Sequence, residues 1–184
     1  MEEYVSIDQL IARLLALRQP GGPQAAFGLG GVFKVQCFDR DGNLRWEDTA
    51  KNAVTDQGLN HALDVVFHGT TPVSPWYIGL ITGTGTLVAA DTLASHAGWT
   101  EGTDYTGTRK EWTEGAASGK AMTNATVVDF VITGTMTVQG AFLCGDDEGT
   151  EAVLFCTALF DDGEQAVRSG DMLRVTYTIY ASTT

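Results

Sequence analysis

Residues 173–179, Leu-Arg-Val-Thr-Tyr-Thr-Ile, decide the fold class of this protein. Apolar residues occupy the odd positions, and arginine or threonine occupies the even ones. A period of two places all the apolar side chains on one face of a β-strand, whereas a helical stripe repeats every 3.6 residues. The stretch therefore predicts a strand with one buried and one exposed face.

Similar runs recur along the rest of the chain, separated by glycine and aspartate turns. The last third predicts strands over 126–132, 136–143, 152–160 and 172–180. Upstream, residues 32–38 and 44–46 predict a hairpin around the turn 39–43. Short strands separated by such turns are typical of sandwiches and barrels. We expect a mainly β fold, an antiparallel β-sandwich or jelly-roll-like domain over 32–184.

One helix is predicted inside this β domain. Thr55 or Asp56 can cap its start, Gly69 closes it, and Pro72 lies just beyond. Apolar residues fall near helical spacing at Leu59, Leu63, Val66 and Phe67.

The N-terminal segment differs from the β domain and predicts an amphipathic helical arm over 1–19. Ser6 and Gln9 fit a capping box. The apolar stripe of the arm, its predicted partner-binding surface, consists of Leu10, Ile11, Leu14, Leu15 and Leu17. A linker rich in proline and glycine follows over 20–31. Because so short a helix is marginal alone in water, the stripe needs a partner, either its own domain or a neighbouring subunit.

Composition excludes several classes of protein. The 184 residues are 43% hydrophobic but only 18% charged, with 24 Thr, 22 Gly and a net charge of -12. A chain of this length can bury a hydrophobic core of ordinary size. The negative charge argues against nucleic-acid partners and against anionic membranes. No apolar run is long enough to span a bilayer, and the acidic start does not resemble a secretory signal.

Metal and catalytic signatures are weak. Asp39, Asp41 and Asn43 alternate as in calcium loops. However, Gly42 falls at loop position four, whereas a calcium loop needs its glycine at position six, and Ala50 replaces the glutamate of position twelve, so a turn is favoured. His61, Asp64 and His68 share one helix face, but the two histidines lie two turns apart. The acidic loop 146–151 could hold a cation or face a basic partner, but a solvated connector is the simpler interpretation. We expect no catalytic residue, no metal and no cofactor.

Cysteines and tryptophans each allow two interpretations. Three cysteines without framework spacing predict reduced, buried thiols, although two could pair under oxidising conditions: Cys37, Cys144 and Cys156. Four tryptophans could stack on a carbohydrate or fill the core: Trp46, Trp76, Trp99 and Trp112. The core is the favoured place for them.

Four segments resemble small virion proteins of tailed bacteriophages and prophages, often encoded close to the major capsid protein. They are residues 51–60, 76–81, 90–101 and 169–179. The most specific string is 91–101, Asp-Thr-Leu-Ala-Ser-His-Ala-Gly-Trp-Thr-Glu. The resemblance extends from about residue 32 to the C-terminus and leaves out residues 1–30.

The resemblance implies a non-enzymatic capsid decoration, or cement, protein that binds the major capsid protein on the head surface of the virion. It would be made in the host cytoplasm and act as a homo-oligomer, with a trimer favoured. Two alternatives are a neck, tail or fibre-attachment protein and, less favoured, a carbohydrate-binding module for host attachment.

Overall fold

The structure, a computed structural model, describes residues 27–83 and 85–183. Residues 29–181 form one compact unit, and the description below concerns that unit. The predicted arm over 1–19, with its five apolar stripe residues, lies outside the described residues, as do residues 20–26 of the predicted linker.

Within the described residues the chain forms eleven strands and one helical region. The strands are β1 Phe27–Phe38, β2 Leu44–Val54, β3 Trp76–Thr82, β4 Thr100–Gly102, β5 Lys110–Trp112, β6 Ala121–Thr123, β7 Val128–Val131, β8 Met136–Cys144, β9 Leu154–Leu159, β10 Gln165–Val167 and β11 Met172–Thr183. Helix α1, Asp56–Leu63, continues into a π-helical turn, Asp64–His68. The predicted mainly β class, with one helical region in the β domain, is confirmed.

The strands build two antiparallel sheets that share β2. Sheet A has the order β2-β1-β11, with β6 and β7 on the far side of β11. In sheet B, β4 and β5 pair with β3, which is followed by β8 and β9, and β10 pairs with the start of β8. Residues 44–51 of β2 pair with β1, whereas residues 52–54 pair with β9. One strand therefore passes from one sheet to the other.

Side chains from both sheets share the main core, as expected for a β-sandwich. Leu173, Val175 and Tyr177 of β11 are fully buried, while Thr176 between them is exposed. Facing residues of β3 and β8, such as Leu80 and Ala141, belong to the same cluster. The alternation read from residues 173–179 is confirmed.

Sheet B carries a second, smaller core on its outer face. Alternate residues of β3 point to opposite sides, so that Leu80 belongs to the main core and Ile81 to the second one. Leu93 and Trp99, from the segment between β3 and β4, cover Ile81 and Phe142. Because both faces of β3 are covered, its sequence is apolar throughout instead of alternating.

Helix α1 begins where it was predicted but presents the opposite face to the sheet. Thr55 caps it by accepting a hydrogen bond from the Gly58 backbone N–H at 3.0 Å, and Gly69 ends the π-turn at φ 73°. A Cβ on Gly58 would lie 2.2 Å from the Phe155 carbonyl oxygen, so glycine permits the closest approach. The helix therefore packs against the sheet through its face around Gly58. The predicted apolar residues Leu59, Leu63, Val66 and Phe67 are exposed to solvent.

The predicted boundary between linker and β domain differs from the structure. Strand β1 begins at Phe27, inside the predicted linker over 20–31. Gly31 lies so close to β11 that a Cβ there would stand 2.6 Å from the Tyr177 hydroxyl. The glycines of 28–31 thus serve close strand packing, which composition alone does not distinguish from a flexible connector.

Candidate functional site

An open apolar cavity of about 340 Å³ lies between side chains of the two sheets. We call it the sheet mouth. It is lined by Leu29, Trp76, Trp112, Ala117, Lys120, Ala121, Met122, Leu143, Phe155, Ile179, Tyr180 and Ala181. These residues come from both sheets, so no single stretch of sequence contains the cavity.

Two tryptophans on neighbouring strands form one wall. Trp76 of β3 stands opposite Trp112 of β5 in the strand register. The Trp76 ring meets Phe155 edge-on at 5.4 Å between centroids, and Trp112 meets Tyr177 in the same way at 5.3 Å. Such edge-to-face pairs hold large rings in fixed orientations. The wall is therefore built in advance of any ligand.

Asn124 fixes the segment after β6 beneath this wall. Its Oδ1 accepts hydrogen bonds from the Trp112 indole N–H at 2.8 Å and from the Tyr177 backbone N–H at 2.7 Å. Its Nδ2 donates to the Val175 carbonyl oxygen at 3.0 Å. One amide thus satisfies three partners on two strands, which couples the tryptophan wall to β11.

A tight turn forms the rim of the sheet mouth. Gly119 and Lys120 have φ values of 61° and 68°, and Ser118 and Ala121 exchange backbone hydrogen bonds at 2.8 and 3.0 Å. Two consecutive residues with positive φ are the signature of a type I′ hairpin turn. The Ala181 backbone N–H donates to the Lys120 carbonyl oxygen at 2.8 Å, which holds the turn against β11.

The chemistry of the sheet mouth suits apolar side chains. Among the described residues Lys120 is the one charged residue in its lining, and Tyr180 is 40% exposed. Within the part of the chain that the structure describes, no carboxylate, histidine or cysteine lines it. Water in such a cavity finds few hydrogen-bond partners, so an entering apolar side chain is favoured.

A second apolar surface lies on the helical region. We call it the helix stripe. It comprises Leu59, Leu63, Val66 and Phe67, exposed by 42, 54, 68 and 82% respectively. Clustered exposed side chains of this size mark interaction surfaces more often than isolated ones do.

The two acidic turns bind their own backbone. Asp39 Oδ1 accepts from the backbone N–H groups of Asp41 and Asn43 at 2.9 and 2.8 Å, which confirms the turn predicted there. Hydrogen bonds from Asn43 lower the pKa of Asp39. Asp146 Oδ1 likewise accepts from the two backbone N–H groups at 148 and 149, which lowers its pKa. Across the described residues no group of three or more metal-ligating side chains is close enough to hold an ion.

Arg109 is a buried ion-pairing residue that the sequence analysis did not single out. Its Nε and Nη2 donate to the two carboxylate oxygens of Glu101 at 2.8 and 2.7 Å. Its Nη1 donates to the carbonyl oxygens of Asp146 and Gly149 at 3.0 and 2.8 Å, and its guanidinium lies over the Phe142 ring at 5.5 Å. A single arginine in a loop gives no sign in the sequence that it will be buried and bind several distant groups.

The predicted helix-face histidines have separate surroundings. His61 Nε2 accepts from the Val73 backbone N–H at 3.3 Å, and its ring meets Trp76 edge-on at 5.7 Å. His68 is exposed at the end of the π-turn. The structure does not bring these rings together.

The three cysteines are buried free thiols, as the favoured interpretation predicted. Burial raises the pKa of each from 9.0 to about 11: Cys37, Cys144 and Cys156. They therefore stay protonated at neutral pH, which makes them poor nucleophiles and poor metal ligands.

The four tryptophans belong to the cores. Trp99 and Trp112 are 5 and 3% exposed, and Trp46 and Trp76 pack on the main core with partial exposure. All four therefore lie in a core or pack against one, as the favoured interpretation predicted.

The most specific string of the resemblance, 91–101, forms a self-bonded loop. Asp91 Oδ2 accepts from the Val88 backbone N–H and the Trp99 indole N–H, both at 3.1 Å. His96 stacks on Trp99 at 3.8 Å between ring centroids. The contacts within this string therefore stabilise the loop that covers the second core.

In the described parts of the chain, no helix is long and apolar enough to cross a bilayer. No protein-family model matches the sequence, and no curated protein matches it.

Proposed function

We propose that this protein is a non-enzymatic decoration protein of a tailed-phage head, a homo-oligomer that binds the outer shell and stabilises contacts between capsid subunits. The observation that carries the proposal is the resemblance of residues 51–60, 76–81, 90–101 and 169–179 to phage virion proteins. In this proposal the sandwich is a jelly-roll-like body, and residues 1–19 are the helical arm.

The physical properties of the described surface support this role. The helix stripe and the sheet mouth offer apolar area that protein contacts can bury. A net charge of -12 keeps decorated particles apart in solution through mutual repulsion. Binding at many equivalent shell sites multiplies a modest contact into firm retention, particularly when an arm tethers one copy to the next.

Copy number on the particle tests the proposal. In purified particles of the phage that encodes this chain, quantitative mass spectrometry should find copies on the order of the number of capsid subunits, with density on the head in image reconstruction. A few copies located at the neck or tail would contradict the proposal and favour the connector or fibre-attachment role instead.

The arm is tested separately by deletion of residues 1–23. The truncated chain should keep the circular dichroism and cooperative unfolding of the full chain but bind undecorated heads more weakly. If it unfolds instead, the helix belongs to the core of its own domain. A Gln19→Ala variant with the arm intact controls for handling and should bind as the wild type does.

A further inference from the structure

We propose that a small pocket beside the loop 91–101 binds a primary ammonium group, supplied by a lysine side chain of a protein partner. We call it the Asp91 pocket. It shares no lining residue with the sheet mouth, and the proposal makes no use of the capsid shell or of an oligomeric state.

Asp91 is the most buried residue in the lining of this pocket, at 4% exposure. Its Oδ2 accepts hydrogen bonds from the Val88 backbone N–H and the Trp99 indole N–H. Among the described residues none donates a hydrogen bond to its Oδ1, and this oxygen is not sealed from solvent. The free oxygen of a buried carboxylate therefore has its access to solvent through a pocket of about 340 Å³.

The Asp91 carboxylate also lacks a cationic partner within the described chain. Four basic residues form salt bridges there, all with other carboxylates: Lys34, Arg45, Arg109 and Arg174. A buried carboxylate is normally stabilised by a cation or by a full set of hydrogen bonds. Asp48, also 4% exposed, has the full set: its Oδ1 accepts from two backbone N–H groups and its Oδ2 from the Gln165 side-chain amide. Asp91 has neither.

The rest of the lining suits an organic cation. It consists of small or neutral residues: Thr86, Val88, Ala90, Ser95, Ala97 and Gly98. Of the described residues that line the pocket, Asp91 alone carries a charge, and the net charge of -12 attracts cations to the whole molecule. A metal ion fits poorly, because calcium takes six to eight oxygen ligands and the described chain brings no three metal-ligating side chains together.

Hydrogen-bond geometry favours an ammonium group over a guanidinium group. A guanidinium binds a carboxylate best through two parallel bonds, one to each oxygen. Because Asp91 Oδ2 already accepts two hydrogen bonds, only Oδ1 is free for a ligand. An ammonium group has three donors that rotate freely, and the hydroxyls of Thr86 and Ser95 provide further acceptors in the lining.

The entrance of the pocket favours a lysine side chain of another protein. Val88 is 52% exposed and Ala97 is exposed, so both can contact the aliphatic part of a lysine side chain. The four lysines of this chain lie within the described residues, and none of them lines the pocket. The ammonium group must therefore come from a partner.

Titration of the full chain with a lysine derivative tests the proposal. The probe is Nα-acetyl-lysine methylamide, followed by the indole N–H signal of Trp99 in proton–nitrogen correlation NMR spectra, because that N–H donates to Asp91. We expect a saturable change in this signal. Nα,Nε-diacetyl-lysine methylamide has a side chain of similar shape without the charge, and it should leave the signal unchanged.

Two pairs of variants locate the site. Asp91→Asn keeps an acceptor for both N–H donors but removes the charge, so it should weaken binding at least about tenfold. The control Asp48→Asn removes an equally buried charge elsewhere and should bind as the wild type does. Ala97→Leu, which fills the pocket from an exposed position, should also weaken binding even if Asp91→Asn fails to fold. Its control Ala94→Leu, exposed in the same loop but outside the lining, should not.

Competing amines identify the source of the ammonium group. Putrescine, a free diamine, and the corresponding arginine derivative should each bind more weakly than the lysine derivative. The proposal is overturned by an unchanged Trp99 signal, by full binding in folded Asp91→Asn or in Ala97→Leu, or by tighter binding of either competitor. None of these results depends on the copy number of the protein on phage heads, so this proposal and the proposed function fail separately.

Discussion

The strongest prediction about stability concerns Arg109. Its side chain is 4% exposed and its partner Glu101 is 23% exposed. Arg109→Met keeps much of the volume packed on Phe142 but removes all four hydrogen bonds and leaves the Glu101 carboxylate unpaired. Breaking a buried pair from one side costs about 3–5 kcal/mol. Because Glu101 retains some contact with water, we expect the lower end, about 3 kcal/mol.

Arg174 provides a matched control elsewhere in the same domain. It also forms a bidentate salt bridge, in which its Nε and Nη2 donate to the two carboxylate oxygens of Asp129 at 2.9 and 2.8 Å. Its guanidinium lies over the Phe38 ring at 5.7 Å. Its side chain is 36% exposed, however, and that of Asp129 is 28% exposed. Because solvent screens this pair, Arg174→Met should cost no more than about 1 kcal/mol.

Urea unfolding followed by tryptophan fluorescence measures both variants. For a chain of this length, the loss at Arg109 corresponds to a fall in Tm of about 6–12 °C. Replacing both partners, Arg109→Met with Glu101→Gln, should recover part of the loss because no unpaired charge remains. Equal losses at Arg109 and Arg174, or a double variant less stable than Arg109→Met, would refute the reasoning from burial.

Three further predictions concern the core and the sheet mouth. Gly58→Ala should lower the Tm in thermal melts because its Cβ would lie 2.2 Å from the Phe155 carbonyl oxygen, although alanine is the better helix former by about 1 kcal/mol. The control Gly115→Ala, where the nearest atom is 3.4 Å from the added Cβ, should leave the Tm nearly unchanged. Asn124→Ala should cost about 2–4 kcal/mol in urea unfolding, because two partly buried N–H donors lose their acceptor; an effect below about 1 kcal/mol would show that water replaces the amide. The buried thiols should resist a thiol reagent at pH 8 until the chain unfolds. Because burial raises their folded pKa to about 11, they stabilise the protein below the unfolded pKa of 9.0, and the free energy of unfolding should fall as pH rises from 9 towards 11. A free energy of unfolding that does not change over this pH range would mean that the thiols are solvated.

Several features were predictable because their signals are local. The strand at β11, the turn at Asp39 and the capping of α1 by Thr55 each depend on residues within a few positions of one another. Period, turn residues and caps act through backbone geometry and hydrogen bonds between residues that are close together in the sequence.

Other features were not predictable because distant partners create them. The stripe at Leu59 and Phe67 has the spacing of a buried helix face, but contact between Gly58 and β9 decided which face meets the sheet. The glycines of 28–31 have the composition of a flexible connector, but in the structure they allow β1 to pack closely against Tyr177 of β11. In both cases the deciding contact joins residues that are far apart in the sequence.

By itself, the sequence determined that this protein is mainly β and antiparallel, that one capped helix interrupts the strands, and that its surface is acidic. Only the tertiary structure decided which apolar residues stay exposed, where Arg109 finds its partners, and that both sheets contribute to the sheet mouth. The physical reason is range: alternation and capping are set by neighbours along the chain, whereas burial and cavities depend on which strands pair across a hundred residues or more.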